Sequence, residues 1–232
     1  MNATGLFVVF EGINGSGKRT QIGAVEKAIR GLNKYLDIVL TREPTGGAEE
    51  IRRRLETEID PLTNSARLAT LFISDRREHY FKDIRQDLER GRVVLCDRYS
   101  ISTLAYQSLP GEMTMLDLVS MHFSADIGTP DITFYLALSA EEAARRMAAR
   151  GDKRERFENV DFARKLAAQH EFLYREAQQD GAIKSLLGKV VKIDAAQESK
   201  FVTADIFRYL EPIYRAMRNG VQMNGDFCVK LE

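Results

Sequence analysis

Seven residues near the start, Gly12-Ile13-Asn14-Gly15-Ser16-Gly17-Lys18, have the types and spacing to cradle a chain of phosphates. In the pattern G-x-x-x-x-G-K the glycines let successive backbone N–H groups approach phosphate oxygens, and the lysine reaches the outer phosphates. The N-terminus of a following helix adds favourable partial charge. The expected chemistry is the holding of ATP by Gly12 through Thr20. A glycine-rich turn with an incidental lysine would share the composition, but strand and helix signals on either side argue against it. The position after the lysine usually carries a hydroxyl that ligates Mg²⁺. Here it is Arg19, with Thr20 next, so Thr20 or a water is expected in that role.

Two further motifs follow apolar runs. Thr41-Arg42-Glu43-Pro44 comes after Ile38-Val39-Leu40, and Asp97-Arg98-Tyr99 after Val93-Val94-Leu95-Cys96. Both fall at the C-terminal ends of expected strands, where ligands collect in open α/β sheets. Asp97 in that position suits a hydrated Mg²⁺, and Arg98 suits an anionic phosphate gripped through two N–H groups. Each motif alone is equally a turn or a surface ion pair. A third segment, residues 150–158, is dense in charge and almost without apolar anchors, and reads as a loop.

The elements that must position these residues are legible in the periodicity. Leu6 to Phe10 forms a buried strand, and Ile22, Val25, Ile29 and Leu32 then recur at helical spacing. Ile132 to Leu138 and Val190 to Ile193 supply the fourth and fifth strands. Residues 51–59, 68–81 and 162–177 have helical patterns, and Ser139 to Glu142 matches a capping box. Strands alternating with helices predict a mostly parallel five-stranded sheet with helices on both faces. Pro44, Pro110, Pro130 and Pro212 are expected at element edges.

The chain has 232 residues, 44% of them hydrophobic and 29% charged, which argues against extended disorder. Its 34 Lys and Arg balance 34 Asp and Glu, which argues against a general nucleic-acid binder. Two cysteines far apart give neither a disulfide framework nor a zinc site. No secretory leader and no span of about 20 apolar residues is visible, so a soluble, cytoplasmic protein without membrane partners is expected.

Taken together and in order, these motifs closely resemble the thymidylate kinase family of nucleoside monophosphate kinases. The matching pieces are residues 10–18, Thr41 to Pro44 with Gly46 and Gly47, and Leu71 to Arg76. Asp97 to Gln107, Pro130 to Leu136 and the charged stretch ending at Glu158 complete them. The resemblance implies an α/β fold of the P-loop NTPase type, three-layered, with a small mobile lid near 150–158. Residues 1–212 would form the kinase domain and 213–232 an extension. It implies phosphorylation of dTMP by ATP with Mg²⁺, and a homodimer. Phe72 falls where the family stacks a ring on thymine, Arg76 where an arginine reaches the base carbonyl, and Arg98 where the acceptor phosphate is gripped. Ser102, Thr103, Tyr106 and Gln107 line up with residues around base and sugar, Tyr106 crowding the 2′ position. Pro44 would pack beside the thymine methyl and Glu43 would shape the pocket. Lys18 and Arg98 are then catalytic, joined by a lid arginine from Arg150, Arg154 and Arg156, since no arginine precedes Lys18 in the phosphate loop.

Two residues depart from the family pattern. Asn14 stands where an acidic residue is common, and Arg19 where a hydroxyl is expected. They leave two rivals open. A deoxynucleoside kinase would need a carboxylate base near a sugar hydroxyl, for which Glu43 is the candidate. A non-catalytic nucleotide-binding regulator with the same fold would bind ATP without turnover.

Overall fold

The computed structural model describes residues 5–57, 64–109, 111–150 and 160–218. Five parallel strands are found among them: β1 Leu6–Glu11, β2 Ile38–Arg42, β3 Val93–Asp97, β4 Ile132–Ala137 and β5 Val190–Asp194. Their order in the sheet is β2-β3-β1-β4-β5. All four pairings are parallel, with Val8 beside Leu95 on one side and Ile132 on the other. Parallel strands need crossovers that cover both faces, which is why β1 is buried along its whole length and reads as a continuous apolar run from Leu6 to Phe10. Its side chains alternate between faces. Leu6, Val8 and Phe10 join the larger core with Val93, Leu95 and Phe134, whereas Phe7 and Val9 join the smaller one with Val94, Cys96 and Tyr99. β2 is an edge strand and stays half-exposed.

The helices are α1 Lys18–Leu32, α2 Glu49–Thr57, α3 Ser65–His79, α4 Arg85–Glu89 and α5 Ser100–Gln107. α6 Met115–Ser124, α7 Ala140–Ala149, α8 Val160–Ala177, α9 Ala182–Leu187 and α10 Ser199–Arg218 follow. A π-helical turn, Tyr80–Ile84, joins α3 to α4. Ser139 caps α7 by accepting from Glu142 N at 3.3 Å, but the carboxylate of Glu142 goes to Arg145 and Arg146 rather than back to the cap. The reciprocal capping box lies instead at Thr114 and Asp117, at the start of α6. Pro212, expected at an edge, lies inside α10, beyond the first turn, and so removes one backbone donor there. Pro110, residues 151–159 (all of the expected lid after Arg150, with Arg154 and Arg156 included) and residues 219–232 lie outside the described residues, and Arg150 caps the C-terminus of α7.

Candidate active site

The phosphate loop connects β1 to α1 at the C-terminal edge of the sheet. Two of its glycines are required by space as well as by backbone. Gly12 has φ +138° and a Cβ there would meet Leu136 O at 2.7 Å; Gly15 has φ +82° and would meet Ala143 O at 2.8 Å. The loop thus lies directly on the backbone of β4 and α7. Lys18 opens α1, buried, its Nζ donating to Gly12 O at 2.9 Å and Ile13 O at 3.1 Å. Burial first, and Arg98 second, push its pKa down to about 7 against the pull of Asp97 and Glu11.

Arg98 follows β3 with φ +74°, a left-handed conformation that costs a non-glycine residue and concentrates at working sites. The turn is held from both sides. Arg98 N donates to Phe10 O at 3.0 Å, and the buried Glu11 carboxylate accepts from Tyr99 N at 2.7 Å, Ser102 N at 3.0 Å and Ser102 Oγ at 2.7 Å. Glu11 therefore serves as the anion at the N-terminus of α5, although it comes from another strand. The guanidinium of Arg98 then lies across the phosphate loop, donating to Asn14 Oδ1 at 2.5 Å and Ser102 Oγ at 3.0 Å. Burial opposes its charge, but Tyr106, Glu11 and Asp97 outweigh that and hold its pKa above the ordinary arginine value. Burial raises the Glu11 carboxyl, and Arg98 offsets this only in part.

Beside this corner opens a cleft with about 780 Å³ of non-protein space. Its walls include Glu43, Pro44, Phe72, Arg76, Arg98, Ser102, Thr103, Tyr106 and Gln107, together with Asn14, Leu55 and Leu68. The structure thus gathers around one cavity all nine residues that sequence comparison aligned with an acceptor site. They arrive from the end of β2, from α3, from the turn after β3 and from α5. On α5 the spacing puts Ser102, Thr103, Tyr106 and Gln107 within one turn and a half. Gln107 is buried with its Oε1 unpartnered among the described residues.

A polar lattice fixes the cavity's far wall. Arg76, 1% exposed, donates through Nε to Glu43 Oε2 at 2.7 Å. Glu43 Oε1 lies 3.2 Å from His79 Nδ1, whose Nε2 is 2.7 Å from Thr41 Oγ1. The Glu43–Pro44 peptide is cis. Asp75 accepts from Thr45 N at 2.9 Å and Thr45 Oγ1 at 2.5 Å, and Arg52 donates to the carbonyls of Thr45 and Gly46. Both carboxylate oxygens of Glu43 are therefore engaged.

The metal candidates are spread more widely. Asp97 lines a second, open cavity with Arg19, Thr41, Thr45 and His79, and its Oδ1 is buried without a partner among the described residues. Ser16 Oγ, at the phosphate loop, is likewise buried and unpartnered among the described residues, whereas Thr20 is exposed on α1 and lines neither cavity. No cluster of three His, Cys, Asp or Glu side chains suited to a metal occurs among the described residues. Sequence reading missed Glu11, His79 and His122. Glu11 directly precedes the first loop glycine, a position that would have flagged it; His79 stands one helical turn after Arg76; His122 carries no local signal.

A family model described as Thymidylate kinase matches residues 10–206. The thymidylate kinase of Ruegeria pomeroyi is 43% identical over 163 residues, which cover 68% of this chain and 75% of that protein. The thymidylate kinase of Desulfotalea psychrophila is 36% identical over 169 residues, covering 72% and 80%. That of Verminephrobacter eiseniae is 34% identical over 212 residues, covering 85% and 87%. The match takes in the phosphate loop, the Arg98 turn and the whole cavity beside them, and this chain belongs to the thymidylate kinase family.

Proposed function

We propose that the chain transfers the γ-phosphoryl group of ATP to the 5′-phosphate of dTMP, giving dTDP and ADP. The observation that carries this is the position of Arg98, bridging the phosphate loop at Asn14 and the acceptor cavity at Ser102. A cation at that junction suits an acceptor that arrives with its own negative charge. The cavity beyond it offers the flat face of Phe72, the apolar edges of Pro44 and Leu68, and the polar groups of Arg76 and Gln107 to a base. Lys18 and the loop amides hold the donor, and no protein base is needed because a phosphate oxygen is already anionic.

The deoxynucleoside kinase reading loses its base, since Glu43 is held by Arg76 on one oxygen and His79 on the other. Asp97 Oδ1 and Ser16 Oγ are hard oxygen donors without partners among the described residues, and they fit a role in holding a hydrated Mg²⁺. The ion, when bound, would offset charge on the phosphate oxygens. Arg150, Arg154 and Arg156 are the proposed source of the lid arginine. A homodimer is proposed through α6, which exposes Leu116 and Phe123 two turns apart on one face. The cytoplasm, where ATP and deoxynucleotides meet, is the proposed setting.

The test is ADP release from Mg·ATP with dTMP, dUMP, dCMP, UMP, AMP and thymidine. A clear dTMP preference is expected. A preference for thymidine would restore the nucleoside reading, and ATP binding without turnover on any acceptor would favour a regulator.

A further inference from the structure

Arg76 is held by one more group than its own neighbourhood in sequence supplies. Of its five N–H bonds, Nε uses one on Glu43 Oε2, and Nη2 uses two, on Tyr99 O and Thr103 Oγ1, both at 3.0 Å. Nη1 lies 2.9 Å from His122 Nε2, a residue of α6. The other ring nitrogen of His122 is 2.7 Å from Leu118 O. A carbonyl only accepts, so Nδ1 carries the proton and Nε2 offers its lone pair to Arg76. Burial first, and the Arg76 charge second, push the His122 pKa down to about 3, so the ring remains neutral at working pH. One N–H of Arg76 is then left over among the described residues. It sits on Nη1, the nitrogen that His122 holds, and Arg76 lines the acceptor cavity.

We infer that His122 is a positioning residue for acceptor-base selection: by taking one Nη1 hydrogen it commits the other to the cavity, as a single donor for a base carbonyl. A base presenting an amino group at that point would set donor against donor. The inference rests on the acceptor reading above. Without His122, two Nη1 hydrogens would compete for the same space and the guanidinium would lose one of its four fixing bonds.

Steady-state kinetics of His122→Phe and His122→Gln with dTMP and dCMP test it. Phenylalanine keeps the bulk and removes the acceptor; glutamine can return an oxygen near the position of Nε2. For His122→Phe, the KM for dTMP is expected to rise roughly tenfold and the dTMP-over-dCMP preference to fall by a similar factor. The KM for ATP should hold, and His122→Gln should recover most of both losses. Equal losses in the two variants, or a drop in kcat and thermal stability with the base preference intact, would overturn the inference in favour of plain packing. If His122→Phe fails to fold, the ¹⁵N shifts of His122 in the unmodified protein decide between pH 6 and 8. The Nδ1–H tautomer upholds the inference, and an Nε2–H or doubly protonated ring overturns it. Should the unmodified protein prefer a carbonyl-bearing base other than thymine, the dTMP reading fails alone, and the contrast between the two variants still decides the role of His122.

Discussion

Lys18 makes two hydrogen bonds within the phosphate loop, to Gly12 O and Ile13 O, which the two N–H groups of a neutral amine suffice to form. The protein's own groups bring its pKa down to about 7, through burial first and Arg98 second. A triphosphate placed beside Nζ adds several negative charges and returns the amine to its charged form. Binding must therefore draw a proton from solvent, by an amount that pH sets. An amine of pKa near 7 is about 90% neutral at pH 8 and about 10% neutral at pH 6, so uptake should be roughly 0.9 and 0.1 proton. Over the same range the nucleotide dissociation constant should rise toward tenfold per pH unit above 7. Titration calorimetry in two buffers of different ionisation enthalpy reads the proton count directly. Because ATP itself titrates near neutrality, the quantity to compare is the difference between the unmodified protein and Lys18→Met. Equal uptake at pH 6 and 8, or a difference that vanishes against Lys18→Met, would refute the reasoning.

The same depressed pKa fixes the sign of a stability effect. Lys18 in the unfolded chain keeps its proton to about pH 10.4, so between roughly pH 7 and 10 the unfolded state binds more protons and stability rises with pH, by at most about 1.4 kcal/mol per unit. Chemical denaturation at pH 7 and 9 should show that rise shrinking in Lys18→Met. Gly15→Ala forces a Cβ to 2.8 Å from the backbone carbonyl of Ala143 at φ +82°, and ATP affinity should fall at least about tenfold. A dissociation constant within twofold of the unmodified value would show that α7 gives way. Arg76→Ala leaves Glu43 buried with no guanidinium, and denaturant unfolding should register a loss of about 3–5 kcal/mol. Arg76→Lys should recover only part of it, since an ammonium cannot reproduce the bonds that the planar fork makes in three directions.

The parallel sheet was legible because its three inner strands are short runs dense in apolar residues, a direct consequence of helices covering both faces. The phosphate loop was legible because positive φ favours glycine, as at Gly12, Gly15 and Gly17. The cavity proposed for the acceptor was legible only by alignment of motifs, since nothing in Phe72 or Tyr106 alone tells a stacking face from a core ring. What escaped were the groups that hold the site from a distance in sequence. Glu11 supports a turn 88 residues later, and His122 an arginine 46 residues earlier. Such pairings depend on how the crossovers bring β1 against β3 and α6 against α3, which no local period encodes. Only the return half of the capping box, from Glu142 to the cap backbone, is missing, for a related reason. Two arginines at the next turn offer its carboxylate charge-assisted bonds, and these win over a return to the cap backbone.

The two cavity arginines differ in what holds them, and that difference suits different tasks. Arg76 is tied to Glu43 by an ion pair out of water, with both side chains almost fully buried. A neutral base entering the cleft cannot displace a carboxylate there, so this guanidinium stays where it is and offers only its remaining N–H. Arg98 also feels Glu11 and Asp97, but its guanidinium donates to neutral groups, the Asn14 amide and the Ser102 hydroxyl. Those two bonds are charge-assisted through the guanidinium alone, whereas a phosphate adds an opposite charge and can accept from two N–H groups of the planar fork at once. A phosphate dianion can therefore take Arg98 from Asn14 and Ser102 without breaking a direct ion pair. The carboxylate of Glu11, held by Tyr99 and Ser102, keeps the strained turn in place while it does so. Asn14 acquires a physical meaning in this arrangement. An aspartate at that position would give Arg98 a charged partner of its own, and the incoming phosphate would have to compete with it.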